Sequence, residues 1–139
     1  MKTYNLKLNE LHILVDEISE NFKSGIVILK GDLAAGKTTL VKEIAKKLGI
    51  EDMVTSPTFS LQHCYGDNFF HYDIYNHGLE HFVALGLLEE LEKDGLHFIE
   101  WGDDELLKIL ILADMETLVI EIEKISDEVR KYKVDYAHA

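Results

Sequence analysis

Residues 31–38 place two glycines, a lysine and a threonine at the spacing G-x-x-x-x-G-K-T. Glycines let a loop wrap closely around a ligand, so that backbone N–H groups and a following helix start can bind phosphates. At this spacing Lys37 can reach the β- and γ-phosphates of a nucleoside triphosphate, and the Thr38 hydroxyl can ligate Mg²⁺. The pattern predicts a nucleotide-binding P-loop. Its residues are Gly31, Asp32, Leu33, Ala34, Ala35, Gly36, Lys37, Thr38 and Thr39.

The sequence on either side of this motif predicts the elements that must position it. Residues 25–30 form an apolar, β-branched run typical of a buried strand. The apolar residues among positions 40–48 recur at helical spacing, and Gly49 is suited to end the helix. We therefore expect the motif to join a strand to a helix.

Two carboxylates are candidates for magnesium binding or water positioning. Residues 95–101 predict a buried strand near whose end Glu100 lies, and open α/β sheets bind ligands at the carboxyl ends of strands. We favour a metal or water role for Glu100 over a surface position. Asp73 falls in the second strand of a predicted β-hairpin, residues 59–65 and 69–75, where exposure to solvent is an equal alternative. We expect Trp101 to lie either in the core or on the surface that contacts the nucleotide or a partner.

A loop around Pro57 provides a third candidate. Proline favours an extended or turn conformation, so residues 51–59 predict either a simple turn or a switch-like loop. In the second interpretation the Thr58 hydroxyl lies near Mg²⁺ or the γ-phosphate, and we favour that interpretation because the loop follows the first strand–loop–helix unit.

Histidines at positions 71, 77 and 81 raise the alternative of a zinc site, with His63 and Cys64 nearby. No Cys-x-x-Cys or His-Glu-x-x-His pattern supports it. We favour surface or hydrogen-bonded histidines.

The remaining patterns predict the rest of an α/β domain. Asn9 is predicted to cap a helix that carries apolar residues from position 11 to 22. The other predicted elements, in chain order, are an edge strand at 2–7, two short helices within 79–93 interrupted at Gly86, a helix from Asp103 to about 112, a strand at 117–123 and a final, polar edge strand at 129–136.

Composition bounds the class of protein. The 139 residues are 47% hydrophobic and 29% charged, which predicts one globular domain spanning residues 1–139. No apolar run approaches the roughly 20 residues of a membrane span, no signal-peptide pattern opens the chain, and a single cysteine excludes an internal disulfide. We expect a cytoplasmic protein.

The charge balance limits the mechanism. Formal net charge is −12, and Arg130 is the only arginine among 14 cationic side chains. An acidic chain repels a nucleic-acid backbone. Enzymes that cleave a γ-phosphate usually stabilise the transition state with arginine, so we expect weak hydrolysis by the chain alone and activation by a partner.

The assembled motifs resemble the TsaE (YjeE) family of small bacterial ATPases. The resemblance rests on the P-loop together with Ser-Pro-Thr-Phe at 56–59, His-Tyr-Asp-Ile-Tyr at 71–75 and Ile-Glu-Trp at 99–101, and it covers about residues 25–102. It implies a single P-loop NTPase domain of three α/β/α layers with a mixed, partly antiparallel sheet. It also implies that Lys37 and Thr38 serve phosphates and Mg²⁺, that Thr58 lies in a switch-like loop, and that Asp73 and Glu100 serve the metal or the attacking water.

The resemblance further implies a place in tRNA modification. Members act with TsaD- and TsaB-like partners that form threonylcarbamoyladenosine at position 37 of tRNAs reading ANN codons. The small ATPase binds their complex and meets tRNA through those partners. Three positions depart from the family pattern: Ala34 replaces a usual glycine, Asn76 an arginine and Gly102 a proline.

Three other functions are weighed against this one. A small metabolite or nucleoside kinase usually needs an arginine-bearing lid, for which one arginine is a poor match. A GTPase needs an Asn/Thr-Lys-x-Asp guanine motif, which the sequence lacks, so ATP is the expected nucleotide. A scaffold that binds nucleotide without hydrolysing it would have no need of Asp73 and Glu100.

Overall fold

The computed structural model describes residues 2–31, 36–50, 62–65, 68–73, 80, 83, 86–100 and 104–138. These residues build one seven-stranded sheet with helices against both of its faces. The strands are β1 (Lys2–Lys7), β2 (Gly25–Lys30), β3 (Gln62–Cys64), β4 (Phe69–Asp73), β5 (Leu96–Glu100), β6 (Thr117–Lys124) and β7 (Val129–His138). The helices are α1 (His12–Asn21), α2 (Lys37–Lys47), α3 (Leu87–Glu90) and α4 (Asp104–Leu112), and a 3₁₀ turn spans Leu8–Glu10.

The sheet is mixed, as expected. Its strand order is β1-β7-β6-β2-β5-β4-β3. Strand β2 pairs in parallel with β5 and β6, and β5 also pairs in parallel with β4. The other three pairs, β1 with β7, β6 with β7 and β3 with β4, are antiparallel. The carboxyl ends of β2, β5 and β4 consequently lie side by side at one edge of the sheet.

Alternation along the central strands gives the sheet two buried faces. In β2, Val27 and Leu29 join the core packed under α1 and α2, whereas Ile26 and Ile28 join the core packed against α4. Burying aliphatic side chains of this size contributes roughly 1.5–3 kcal/mol each. The predicted three-layer α/β/α architecture is confirmed.

Two sequence predictions are wrong, one about the N-cap of α1 and one about the position of β7 in the sheet. Asn9 lies within the 3₁₀ turn, and α1 begins after Leu11, which occupies the N-cap position without a side-chain cap. Strand β7 is not an edge strand, because β1 pairs along it in antiparallel register from Lys7↔Val129 to Lys2↔Val134. The edges of the described sheet are β1 and β3.

The other elements agree with the sequence patterns where they are described. The hairpin forms by antiparallel pairing of β3 with β4, and residues 59–61, 74 and 75 of its predicted strands lie outside the described residues. Helix α2 ends as predicted, since the Gly49 N–H donates to the Lys46 carbonyl. The first of the two helices predicted within 79–93 falls mostly outside the described residues, whereas α3 follows Gly86 as expected. No helix in the described residues is long and apolar enough to cross a membrane.

Gly95, the residue before β5, lies close to the backbone of Asn68, the residue before β4. Its φ is +127°, and a Cβ there would lie 2.2 Å from the Asn68 carbonyl oxygen. Because both the backbone angle and the contact exclude a side chain, we predict that Gly95→Ala lowers the free energy of unfolding by roughly 3 kcal/mol or more. Gly49→Ala is the matched control: its φ is +79° with nothing within 4 Å of the added Cβ. That variant should lose only about 1 kcal/mol, and equal losses in urea titrations would refute the proposed clash.

Candidate functional site

The P-loop joins β2 to α2, as its pattern predicts. Gly31 follows β2 directly, and Gly36 is the residue before α2 begins at Lys37. Gly36 has φ +106°, and a Cβ there would meet nothing within 4 Å. Glycine is therefore required at this position by backbone conformation and not by lack of space.

Lys37 closes the loop through its side chain. It is 3% exposed, and its Nζ atom donates a hydrogen bond to the carbonyl oxygen of Gly31 at 2.5 Å. This bond joins the first glycine of the motif to its lysine and holds a buried ammonium at the start of α2. A cation in this position, beside the positive end of a helix, is suited to phosphate binding.

Thr38 brings the loop into contact with the end of β5. Its hydroxyl donates to the Glu100 carboxylate, with Oγ1–Oε2 and Oγ1–Oε1 distances of 3.1 and 3.4 Å. Glu100 is only 3% exposed, so it is not the surface glutamate weighed as an alternative. The structure thus places two of the predicted magnesium ligands against one another.

Asp73 lies on the neighbouring strand at the same level. It is the last residue of β4, it pairs in register with Glu100 of β5, and it is half-buried. Paired residues of neighbouring strands project to the same face of a sheet. Asp73 and Glu100 are therefore adjacent residues on the face that carries α2.

His71 is a member of this site that the sequence interpretation missed. It is completely buried on β4, and its Nε2 atom lies 2.5 Å from Glu100 Oε2. The sequence favours a surface or hydrogen-bonded histidine here over a zinc ligand, and the hydrogen bond is present, but its partner Glu100 was not predicted. No group of three or more His, Cys, Asp or Glu side chains suited to a metal occurs within the described ranges. The alternation of His71 and Asp73 on one strand beside an acidic strand end was the available signal.

The chemistry of these side chains fits magnesium. Mg²⁺ prefers oxygen ligands and is usually held by one or two carboxylates and the phosphates of its nucleotide, without a complete protein cage. Thr38 and Glu100 provide a hydroxyl and a carboxylate in contact, and Asp73 lies beside them on the next strand. Since burying a carboxylate is costly unless it is paired, the donors around Glu100 indicate a position built for charge.

A cleft of about 210 Å³ opens on the other side of the start of α2. Arg130, the only arginine of the chain, lies on its wall, and its Nη1 atom donates to the Ser126 carbonyl at 3.0 Å. Sequence reasoning did not find this cleft, because its residues come from distant parts of the chain. Its described lining is Leu8, Gly36, Thr39, Asp127, Glu128, Arg130 and Tyr132.

A hydrogen-bonded chain lies on the opposite face of β4 and β5. Gln62 Nε2 donates to the Tyr72 hydroxyl at 3.2 Å, and the Tyr72 and His97 side chains meet at 2.7 Å between Oη and Nδ1. His97 Nε2 donates to the Lys93 carbonyl at 2.8 Å, so Nδ1 accepts from the tyrosine. Burial lowers the pKa of His97 and raises that of Tyr72 above its ordinary value, which favours the neutral form of both.

Several predicted site residues lie outside the described residues. These include four P-loop positions, the switch-loop threonine, the tryptophan after Glu100 and all three family departures, one of which is a P-loop position. They are Asp32, Leu33, Ala34, Ala35, Thr58, Asn76, Trp101 and Gly102, together with His77 and His81 of the zinc alternative. Their roles stay predictions.

A family model described as "Threonylcarbamoyl adenosine biosynthesis protein TsaE" matches residues 6–132. The chain is also similar to proteins named tRNA threonylcarbamoyladenosine biosynthesis protein TsaE. The relative from Rickettsia prowazekii is 38% identical over 117 residues, which cover 80% of this chain and 78% of that protein. The relative from Treponema pallidum is 42% identical over 84 residues, 58% of this chain and 62% of its own length. The relative from Bacillus subtilis is 40% identical over 80 residues, which cover 55% of this chain and 50% of that protein.

A solved structure has the same fold. The crystal structure of Bacillus subtilis YdiB aligns with a TM-score of 0.68 and 28% sequence identity. The alignment covers 94% of this chain and 83% of that protein.

The buried His97 predicts how stability depends on pH. Its pKa is lowered in the folded chain, whereas in the unfolded chain it lies near 6.5. As pH falls below about 6.5, the unfolded chain binds a proton that the folded chain does not, so stability decreases. His97→Gln keeps an acceptor and a donor without titrating, and we predict that its slope of unfolding free energy against pH is smaller by up to about 1.4 kcal/mol per pH unit. Chemical denaturation from pH 7 to 5 measures the slope, and parallel curves for both proteins would contradict this account.

Proposed function

Because the chain belongs to the TsaE family, we propose that it binds ATP with Mg²⁺ at the P-loop and hydrolyses it in support of threonylcarbamoyladenosine formation on tRNA. The names of its relatives include this process, the biosynthesis of threonylcarbamoyladenosine on tRNA. A cytoplasmic location, expected from composition, belongs to the same proposal.

The observation that carries the proposal is the contact of Thr38 with Glu100. A P-loop alone supports nucleotide binding, and many proteins bind a nucleotide without cleaving it. Here the P-loop hydroxyl meets a buried carboxylate at the end of an adjacent strand, 3.1 Å away. Such a pairing of a P-loop threonine with a strand-end acid is the arrangement that holds Mg²⁺ in P-loop NTPases.

The residues of the site take distinct roles in this proposal. Lys37 binds the β- and γ-phosphates, and Thr38 and Glu100 hold the metal with Asp73 beside them. Bound Mg²⁺ would neutralise charge that develops on the phosphate oxygens. Asp73 or Glu100 accepts a hydrogen bond from the attacking water and orients it. From the sequence alone, Thr58 is assigned to the switch-like loop, and Trp101 to the nucleotide as one of its alternatives.

The cleft beside α2 is suited to the nucleoside. Its volume of about 210 Å³ is below the roughly 300–1,000 Å³ of complete ligand pockets, which fits one part of a nucleotide. Gly36 and Thr39 connect it to the phosphate loop, while Arg130 and Tyr132 offer a guanidinium and an aromatic wall. Carboxylates at Asp127 and Glu128 can accept hydrogen bonds from ribose hydroxyls or the adenine amino group.

Partners complete the proposal. Hydrolysis by this chain alone is expected to be slow, and TsaD- and TsaB-like proteins are expected to stimulate it and to carry the contact with tRNA. The net charge of −12 disfavours direct binding to a phosphate backbone.

Lys37 is tested against a lysine of the same helix. Replacing Lys37 by alanine removes charge-assisted bonds worth roughly 1.5–3 kcal/mol, so we predict that the ATP dissociation constant rises roughly 10- to 100-fold. Lys42→Ala removes the same charge from an exposed position of α2 and should leave affinity within about twofold. Isothermal titration gives both constants, and equal affinities for the two variants would exclude the P-loop assignment.

Arg130 is tested in the same way. Arg130→Gln should weaken ATP binding roughly 3- to 30-fold, the range of a lost cation–π or hydrogen-bonded contact. Lys133→Gln, on the same strand but on its other face, is the control of equal charge. If both variants bind inorganic triphosphate equally but Arg130→Gln binds ATP more weakly than Lys133→Gln, the cleft holds the nucleoside. Equal ATP affinities of the two variants would mean that the nucleoside binds elsewhere.

Hydrolysis is tested with the partners present. We predict that Mg·ATP hydrolysis is stimulated by TsaD- and TsaB-like proteins and that Glu100→Ala binds ATP but loses roughly 100-fold or more of the stimulated rate. The exposed Glu121→Ala is the control. Transfer of phosphate to added small molecules, without partner stimulation, would favour the kinase alternative instead.

A further inference from the structure

We propose that His71 is a positioning residue that orients the Glu100 carboxylate and thereby sets the affinity of the P-loop for Mg²⁺. The inference rests on the proposed function and assigns a role to a side chain that would not itself contact metal or nucleotide.

The pairing of β4 with β5 places His71 next to Glu100 on the same face of the sheet. His71 pairs with Phe98 across β4 and β5, and Glu100 lies two residues further along β5, on the same face. The imidazole reaches along the sheet to the carboxylate, with 2.5 Å between Nε2 and Oε2. Because His71 is completely buried, the ring cannot turn away without repacking the core.

One oxygen of Glu100 receives both donors. Oε2 accepts from His71 Nε2 and, at 3.1 Å, from the Thr38 hydroxyl. The Thr38 bond is the longer of the two and comes from the start of α2, whereas the His71 bond comes from the neighbouring strand of the sheet. His71 is therefore a buried donor, held by the core, that restrains the rotation of the carboxylate.

The surroundings of the imidazole support a dedicated role. Its other nitrogen, Nδ1, is buried and has no hydrogen-bond partner among the described residues. Burying a polar ring is costly, and an apolar side chain would fill this space in the core more favourably. The described polar contact that offsets this cost is the one to Glu100. Partners of this kind behind a metal ligand typically change metal affinity by roughly 10- to 100-fold.

The experiment separates metal binding from nucleotide binding. A fluorescent ATP analogue is titrated into wild type, His71→Phe and His71→Gln, first in EDTA and then at fixed nucleotide with increasing Mg²⁺. We expect all three to bind nucleotide within about twofold in EDTA, since His71 does not touch it. The Mg²⁺ concentration for half-maximal response should rise roughly 10- to 100-fold in His71→Phe, and His71→Gln, which keeps a donor, should recover most of that loss.

Controls keep the outcomes distinct. His97→Phe replaces a buried histidine on the opposite face of the same sheet and should leave the Mg²⁺ response unchanged. If His71→Phe does not fold, His71→Gln and His71→Leu are compared, and equal Mg²⁺ responses in these two overturn the inference. If His71→Phe shows the same Mg²⁺ response as wild type, the inference about His71 is also overturned, but the proposed function is not. Absence of any Mg²⁺ response in wild type overturns both.

Discussion

The site depends on the parallel pairing of β2, β5 and β4. This pairing brings three strand ends to one edge of the sheet, where the P-loop leaves β2, Glu100 ends β5 and Asp73 ends β4. The register Asp73↔Glu100 puts the two carboxylates side by side, and α2 brings the Thr38 hydroxyl to within 3.1 Å of one of them. A slip of one residue in either strand would turn an acid to the other face of the sheet.

The distribution of polar groups on the two faces follows from the same alternation. On the face of α2, the buried polar residues of β4 and β5 are His71 and Glu100, which contact one another. On the face of α4, Tyr72 and His97 form a hydrogen-bonded chain whose pKa shifts favour neutral groups. The buried carboxyl group of Glu100 therefore lies on the face that carries α2, the helix that begins with the buried Lys37.

Sequence patterns predicted what is local. The spacing of the P-loop placed Lys37 and Thr38 at the start of a helix, and the apolar run before Glu100 placed that residue at a strand end, as the structure has them. What they did not predict depends on pairing between distant segments. His71 acquires its contact from the β4–β5 register, and Arg130 reaches the P-loop cleft because β7 lies inside the sheet. The strand was expected at the edge, since nothing in its own residues shows that β1 pairs with it.

The most direct test of the account is a double-mutant cycle on Mg²⁺-dependent ATP binding with Thr38→Val, Glu100→Gln and the double variant. If the two side chains hold one metal ion, removal of either already loses most of the Mg²⁺ contribution. The double variant should then bind Mg·ATP about as weakly as the weaker single variant. Losses that simply add, in free energy, would mean that Thr38 and Glu100 act independently and would contradict a shared magnesium site.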